Sequence, residues 1–177
     1  RMMCRAIHSL NPSGRVLDVG CGTGVLSIAA IKCGAEHADA VDIDPWSTAS
    51  AEEAAQLNGI AEQISVLLGT VEVVEGRKYD MVLANINRNI LQMMMERFSA
   101  VLQSGGWIAM SGFLEEDAEV IIPVAGVTKN VDTKFGDQTT SCNVNGSHII
   151  IFTGDKKDVE QCSTSLIIFF FFIVAFR

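Results

Sequence analysis

"VLDVGCGTGVLSIAA", residues 16–30, decides how the rest of the chain is read. A short apolar run carries Asp18, Gly20, Gly22 and Gly24 then alternate with Cys21 and Thr23, and the chain passes unbroken into an alanine-rich helical pattern. Strand, glycine turn and helix in that order are the opening of a βαβ unit. Glycines at such a turn let a ligand approach the backbone closely, and they leave the first amides of the helix available to an anionic group.

Working outward, the alternation of strand and helix continues. "RMMCRAIHSL" (1–10) has helical spacing and is stopped by "NPSG" (11–14). Residues 24–33 read as a helix closed by Gly34, a natural residue after a helix end. "ADAVDID" (38–44) is a second strand, followed by a helix over 47–58 that ends at Asn58-Gly59. "QISVLL" (63–68) and "YDMVLAN" (79–85) are the third and fourth strands, 89–102 a methionine-rich helix, and "GWIAMSGF" (106–113) a fifth strand opened by Ser104-Gly105-Gly106. Residues 115–125 read as a helix with an acidic first turn, which suits its dipole. Strands at 131–135 and 147–153, joined through Asn145-Gly146, suggest a closing antiparallel hairpin. The expectation is an α/β protein with a doubly wound, mostly parallel, Rossmann-like sheet over residues 1–153.

Composition bounds the function. A chain of 177 residues, 49% of them apolar, suffices for one domain with a buried core. The formal charge of −8 argues against a phosphate-neutralising surface, so a nucleic-acid partner is not expected, whereas a basic protein would be attracted. The five cysteines (Cys4, Cys21, Cys33, Cys142, Cys162) have no CxxC pairing and no regular frame, which reads as free thiols in a cytoplasmic protein. The start at Arg1 carries no signal-peptide pattern and reads as the interior of a longer chain. Residues 154–177 form a tail outside the domain. Its apolar run "LIIFFFFIVAF" (166–176) falls short of the ~20 residues a spanning helix needs, so no membrane association is expected.

In an open parallel sheet, ligands bind beyond the carboxyl ends of the strands. Three features fall on that edge: the loop Gly20-Cys21-Gly22-Thr23-Gly24 preceded by Asp18, the acidic pair Asp42 and Asp44, and Asn85. Asp42, ~20 residues beyond the loop, stands where a carboxylate accepts hydrogen bonds from a ribose diol. The loop reads GxGxG and not the GxGxxG of dinucleotide sites, no lysine or arginine waits for a second phosphate, and no Gly-Lys-Ser/Thr ending is present. A ligand with adenine, ribose and a carboxylate but no phosphate fits, and S-adenosyl-L-methionine has that description. Asp44 reads as a helix cap, Trp46 as packing at a helix start or a flank of the adenine, and Met93 to Met95 as core. His8, His37 and His148 offer neither a metal set nor a triad. Asn85 ends its strand facing whatever lies above the cofactor, where it is either a turn former or a contact to the acceptor.

"VLDVGCGTGVLSIAA", "VDIDPWS", "YDMVLANINRNIL" and "GGWIAMSGFLEED" together resemble the catalytic domain of the PrmA-type methyltransferases, which modify the eleventh protein of the large ribosomal subunit. The resemblance runs from about residue 1 to about 153, and its discriminating motif is the "ANI" after the fourth strand. It implies S-adenosylmethionine as cofactor and protein amines, lysine side chains and the terminal amine, as acceptors. It further implies that Gly20 and Asp42 bind the cofactor, with Asp42 on the ribose, and that Asn85 sits between cofactor and incoming amine as the catalytic residue; the loop reading adds Asp18, Gly22 and Gly24 to the cofactor site, and Asn85 borders it. The family also carries an earlier threonine-bearing glycine-rich segment and a recruiting domain, which these residues do not include. Three other readings stand beside it: a class I methyltransferase with another protein or small-molecule acceptor, a silent adenosyl-binding module, and a nicotinamide dinucleotide oxidoreductase.

Overall fold

The first strand, β1 (Arg15–Val19), buries every residue after its first, and its side chains divide between two faces with the period of two that a strand imposes. Val16 packs with Met3, Ile7, Leu26 and Ala30 on one face. Leu17 and Val19 pack with Val82, Leu91 and Phe98 on the other. The computed structural model describes residues 2–112, 139–144 and 147–152, and the central strands of its sheet are covered on both faces, as parallel strands require.

In chain order the elements are α1 (Met2–Leu10), β1, α2 (Val25–Lys32), β2 (His37–Asp42), α3 (Pro45–Leu57), β3 (Ile64–Leu68), β4 (Tyr79–Asn85), α4 (Arg88–Val101), β5 (Leu102–Ser111), β6 (Thr139–Val144) and β7 (Ser147–Phe152). The strand order is β3-β2-β1-β4-β5-β7-β6. From β3 to β5 all neighbours are parallel, and β7 pairs parallel with β5 and antiparallel with β6. The expected strand at 131–135, the expected helix at 115–125 and the 154–177 tail lie outside the described residues. No described helix is long and apolar enough to cross a membrane.

Small side chains set the spacing on the first face. Ala38 and Ala40 of β2 meet Ala51 and Ala55 of α3 and Ala30 of α2, all buried, which lets those helices lie close to the sheet. On the opposite face α4 contributes Leu91, Met95, Phe98 and Val101 at helical spacing. Met95 thus meets the expectation of a core methionine and Met94 packs against the core, but Met93 points outward at 80% exposure.

Several boundaries differ from expectation, two of them with a plain physical cause. Helix α3 begins at Pro45 and not at residue 47, because Asp44 caps it by accepting from Trp46 N and Ser47 N (both 3.2 Å), with proline at a position where its missing donor costs nothing. Strand β5 begins at Leu102 directly after α4. Ser104-Gly105-Gly106 is therefore not a turn ahead of the strand but an irregularity inside it, where the pairing with β4 shifts between Tyr79 and Met81.

Candidate functional site

The order of strands reverses between β1 and β4, since the chain builds outward from β1 to β3 and returns to lay β4 on the other side of β1. Loops leaving the carboxyl ends of two such strands diverge and open a crevice. The loop after β1 carries Gly20 to Gly24, the end of β2 carries Asp42, and the end of β4 carries Asn85. All the sequence-predicted site residues but Asp18 therefore come to one edge around one crevice.

The glycine loop is held by its own backbone. Gly20 N and Cys21 N both donate to Val41 O at 2.8 and 3.1 Å, and Gly24 N donates to Cys21 O at 2.8 Å. Gly22 N donates to Asp42 Oδ2 at 2.9 Å, while Asp42 Oδ1 accepts from Asp44 N at 3.0 Å. The Asp42 carboxylate is thus fixed at the loop rim, half-buried. Gly20 has φ +69°, and a Cβ there would stand 2.4 Å from Ile86 Cγ2. The loop after β1 and the loop after β4 touch at that point, so the two segments are one packed unit.

Asp18 lies beneath the loop and not on its rim. It is fully buried, and its Oδ2 accepts from both Ser27 N (3.0 Å) and Ser27 Oγ (2.7 Å), pinning the first turn of α2 to β1. Its Oδ1 is buried with no hydrogen-bond partner among the described residues. Burial raises the carboxyl to about 6, against the lowering effect of the Ser27 bonds and with a smaller contribution from the Asp42 charge. Cys21, buried in the loop, has its thiol pushed well up by burial and by the charges of Asp18 and Asp42, so it is no nucleophile.

Asn85 is exposed at the last rung between β4 and β5, opposite Ser111. Its Oδ1 accepts from the Ser111 hydroxyl at 2.8 Å. Sequence reasoning did not reach Ser111. The available signal was a serine followed by glycine at the end of an otherwise apolar strand, "IAMSG". Trp46 is 82% exposed on the same edge, with Ile43 and Leu68 also exposed, so it does not pack at the helix start.

A second polar cluster lies toward the amino end of β2. The Asp39 side chain, fully buried, accepts from Tyr79 Oη (2.6 Å) and Arg15 Nη2 (3.1 Å) and pairs with Arg77 Nη1 (3.0 Å). Burial alone would raise its carboxyl, but the bonds from Tyr79, Arg77 and Arg15 outweigh that and hold it below the usual carboxylate range. His37 Nε2 faces both Ser65 Oγ (3.0 Å) and Asp39 Oδ1 (3.3 Å), the latter without hydrogen-bond alignment. Both contacts use the same nitrogen, so no serine–histidine–aspartate relay is formed. Among the described residues no group of side chains is arranged to hold a metal ion.

Residues 2–135 match the family described as ribosomal protein L11 methyltransferase (PrmA). A Porphyromonas gingivalis protein named ribosomal protein L11 methyltransferase is 41% identical over 114 residues, 64% of this chain and 39% of the relative. A Vibrio vulnificus protein of the same name is 36% identical over 141 residues, 79% of this chain and 47% of the relative. The chain therefore spans less than half the length of these curated relatives. Among solved structures, the ribosomal protein L11 methylase of Lactobacillus delbrueckii subsp. bulgaricus superimposes with a TM-score of 0.65 at 29% identity, covering 72% of this chain and 70% of that one.

Proposed function

The chain belongs to the ribosomal protein L11 methyltransferase (PrmA) family, and on that premise we propose that it transfers methyl groups from S-adenosyl-L-methionine to amines of a ribosomal protein, in the cytoplasm. What carries the proposal is the β1/β4 switch point, where Gly20 packs against Ile86, the residue after Asn85, so that the loop bearing the Gly22–Asp42 bond and the loop after Asn85 adjoin.

The residues suit the cofactor. Asp42 offers a carboxylate for a ribose diol, and Gly22 leaves open space where any side chain would begin, since a Cβ there meets nothing within 4 Å. Gly24 heads α2 and supplies no side-chain cap of its own; Ser27 N is taken by Asp18, and the amides ahead of it are left for a carboxylate ligand. Asp18 acts through the loop, holding Ser27 and with it the start of α2. S-adenosylmethionine, when bound, supplies a methyl already activated on a sulfonium.

The protein's share is positioning and desolvation, and well-aligned reactants reach effective molarities of ~10⁵ M or more. Asn85 is placed to receive the acceptor. One lone pair of Oδ1 is occupied by Ser111, and the second can take an N–H of a neutral amine, orienting its nitrogen lone pair away from the asparagine. A free lysine titrates near ~10.4, so binding it neutral is part of the work, and an uncharged amide oxygen stabilises the ammonium less than a carboxylate would. The formal charge of −8 favours a basic acceptor protein.

The test is incubation with methyl-labelled S-adenosylmethionine and purified L11, together with calorimetric titration of S-adenosylhomocysteine and, separately, NAD. Label in L11 with binding of the homocysteine supports the proposal. Binding without transfer to any acceptor would make this chain an adenosyl-binding module, and binding of NAD alone would overturn the cofactor assignment.

A further inference from the structure

Strand β5 ends on a serine where its preceding residues are apolar. Ile108, Ala109 and Met110 are buried, and Ser111 after them is only 8% exposed. A hydroxyl placed there costs stability unless it is hydrogen-bonded, and its bond goes to Asn85 Oδ1 at 2.8 Å, across the last rung of the β4–β5 pairing. The next residue is shaped to the same neighbour. Gly112 has φ +99°, and a Cβ on it would stand 2.8 Å from Ile86 O and 3.1 Å from Asn85 Oδ1.

An asparagine at an exposed strand end is poorly fixed by itself, because its terminal torsion is broad and nearly two-fold. Either the carbonyl or the NH₂ edge can then face a ligand. A hydrogen-bonded neighbour limits that freedom, here by donating to Oδ1. We infer that Ser111 is a positioning residue for Asn85: its hydroxyl anchors Oδ1 at the end of β5 and so fixes the rotamer in which the second lone pair of that oxygen meets the acceptor amine, while Gly112 leaves the room this requires. The inference rests on the proposed methyl transfer for its kinetic consequence but not for the contact itself.

The experiment therefore has two arms on the full chain. In ¹⁵N-labelled protein the Asn85 side-chain amide is identified by its disappearance in Asn85→Ala. Its steady-state heteronuclear NOE is then compared in the wild type, Ser111→Ala and Ser111→Thr. Loss of the Oδ1 anchor in Ser111→Ala lowers that NOE, and Ser111→Thr, which keeps the hydroxyl on a strand-compatible side chain, restores it. An unchanged NOE in a folded Ser111→Ala protein overturns the inference whatever the enzyme does. In the second arm, label transfer to L11 is measured at saturating S-adenosylmethionine. Ser111→Ala lowers kcat roughly 3- to 10-fold, as expected for one hydrogen bond, with unchanged affinity for S-adenosylhomocysteine and recovery in Ser111→Thr. A kcat equal to the wild type's overturns the positioning role. Absence of transfer in the wild type itself sinks the acceptor assignment, and the NOE arm then decides the contact independently.

Discussion

Gly22 and Asp42, twenty residues apart in the chain, are joined by a 2.9 Å hydrogen bond from the backbone amide of the first to Oδ2 of the second. The loop after β1 is thereby fastened to the end of β2 by the same carboxylate that we propose holds the ribose. Two functions on one side chain make separable demands. Asp42→Asn keeps an acceptor for Gly22 but loses the charge, whereas Asp42→Ala removes both. Hydrogen bonds to charged groups are worth ~1.5–3 kcal/mol, so Asp42→Ala should weaken S-adenosylhomocysteine binding by roughly 10- to 100-fold and Asp42→Asn by less. Calorimetric affinities of the two variants check this. Equal affinity in all three proteins would place the ribose elsewhere.

Asn85→Ala separates binding from chemistry. The residue stands at the end of β4, and its recorded side-chain bond is to Ser111 and not to the glycine loop. S-adenosylhomocysteine affinity should therefore stay within a few-fold of the wild type. Transfer should fall by roughly 100-fold, the scale of a misplaced reactant. Single-turnover transfer of label measures the second quantity and calorimetry the first.

The carboxyl of Asp18 predicts a pH dependence of stability. Its pKa is about 6 when folded, against 3.8 for the ordinary side chain, chiefly because burial penalises the charged form. The folded protein therefore binds this proton more tightly than the unfolded chain does. Between pH 3.8 and 6 the unfolded state releases it first, and stability falls as pH rises through that window, by on the order of 3 kcal/mol for this group. Asp18→Asn removes the titration. The Tm of Asp18→Asn minus that of the wild type should rise by several degrees from pH 4 to pH 7. A difference that stays flat, or falls, would show that Asp18 is not titrating in the buried site.

Much of this arrangement was legible because local chemistry and global fold agree. The glycine loop, Asp42 and the cap at Asp44 each carry a residue-level signal at a position the βα alternation makes meaningful. Asp18 was legible in position but not in orientation. It sits on the face of β1 that meets α2, and only the strand's alternation relative to the helix decides that it supports the loop from below. Ser111 and Asp39 were hidden for another reason. Each makes its bonds across a rung or between strands distant in sequence, Ser111 to Asn85 over 26 residues and Asp39 to Tyr79 over 40, and register is not written in either strand alone. Met93 misled because three successive methionines cannot share one helix face.

The contact between Gly20 and Ile86 gives the sharpest structural test, because two neighbouring glycines differ in what surrounds them. Gly20 and Gly22 have similar positive φ values, +69° and +53°, so alanine at either position meets the same left-handed backbone cost of ~1–2 kcal/mol. At Gly22 nothing lies within 4 Å of the added Cβ, whereas at Gly20 it would stand 2.4 Å from Ile86 Cγ2. Overpacking adds ~1–3 kcal/mol, so Gly20→Ala should be clearly less stable than Gly22→Ala. Ile86→Ala removes the obstructing methyl. Against the Ile86→Ala background, Gly20→Ala should then cost no more than Gly22→Ala does in the wild type. Chemical denaturation of the four variants measures these differences. Additive costs for Gly20→Ala and Ile86→Ala would mean that the two loops are not packed against each other, and the proposed coupling of the Gly22–Asp42 rim to Asn85 would go with it.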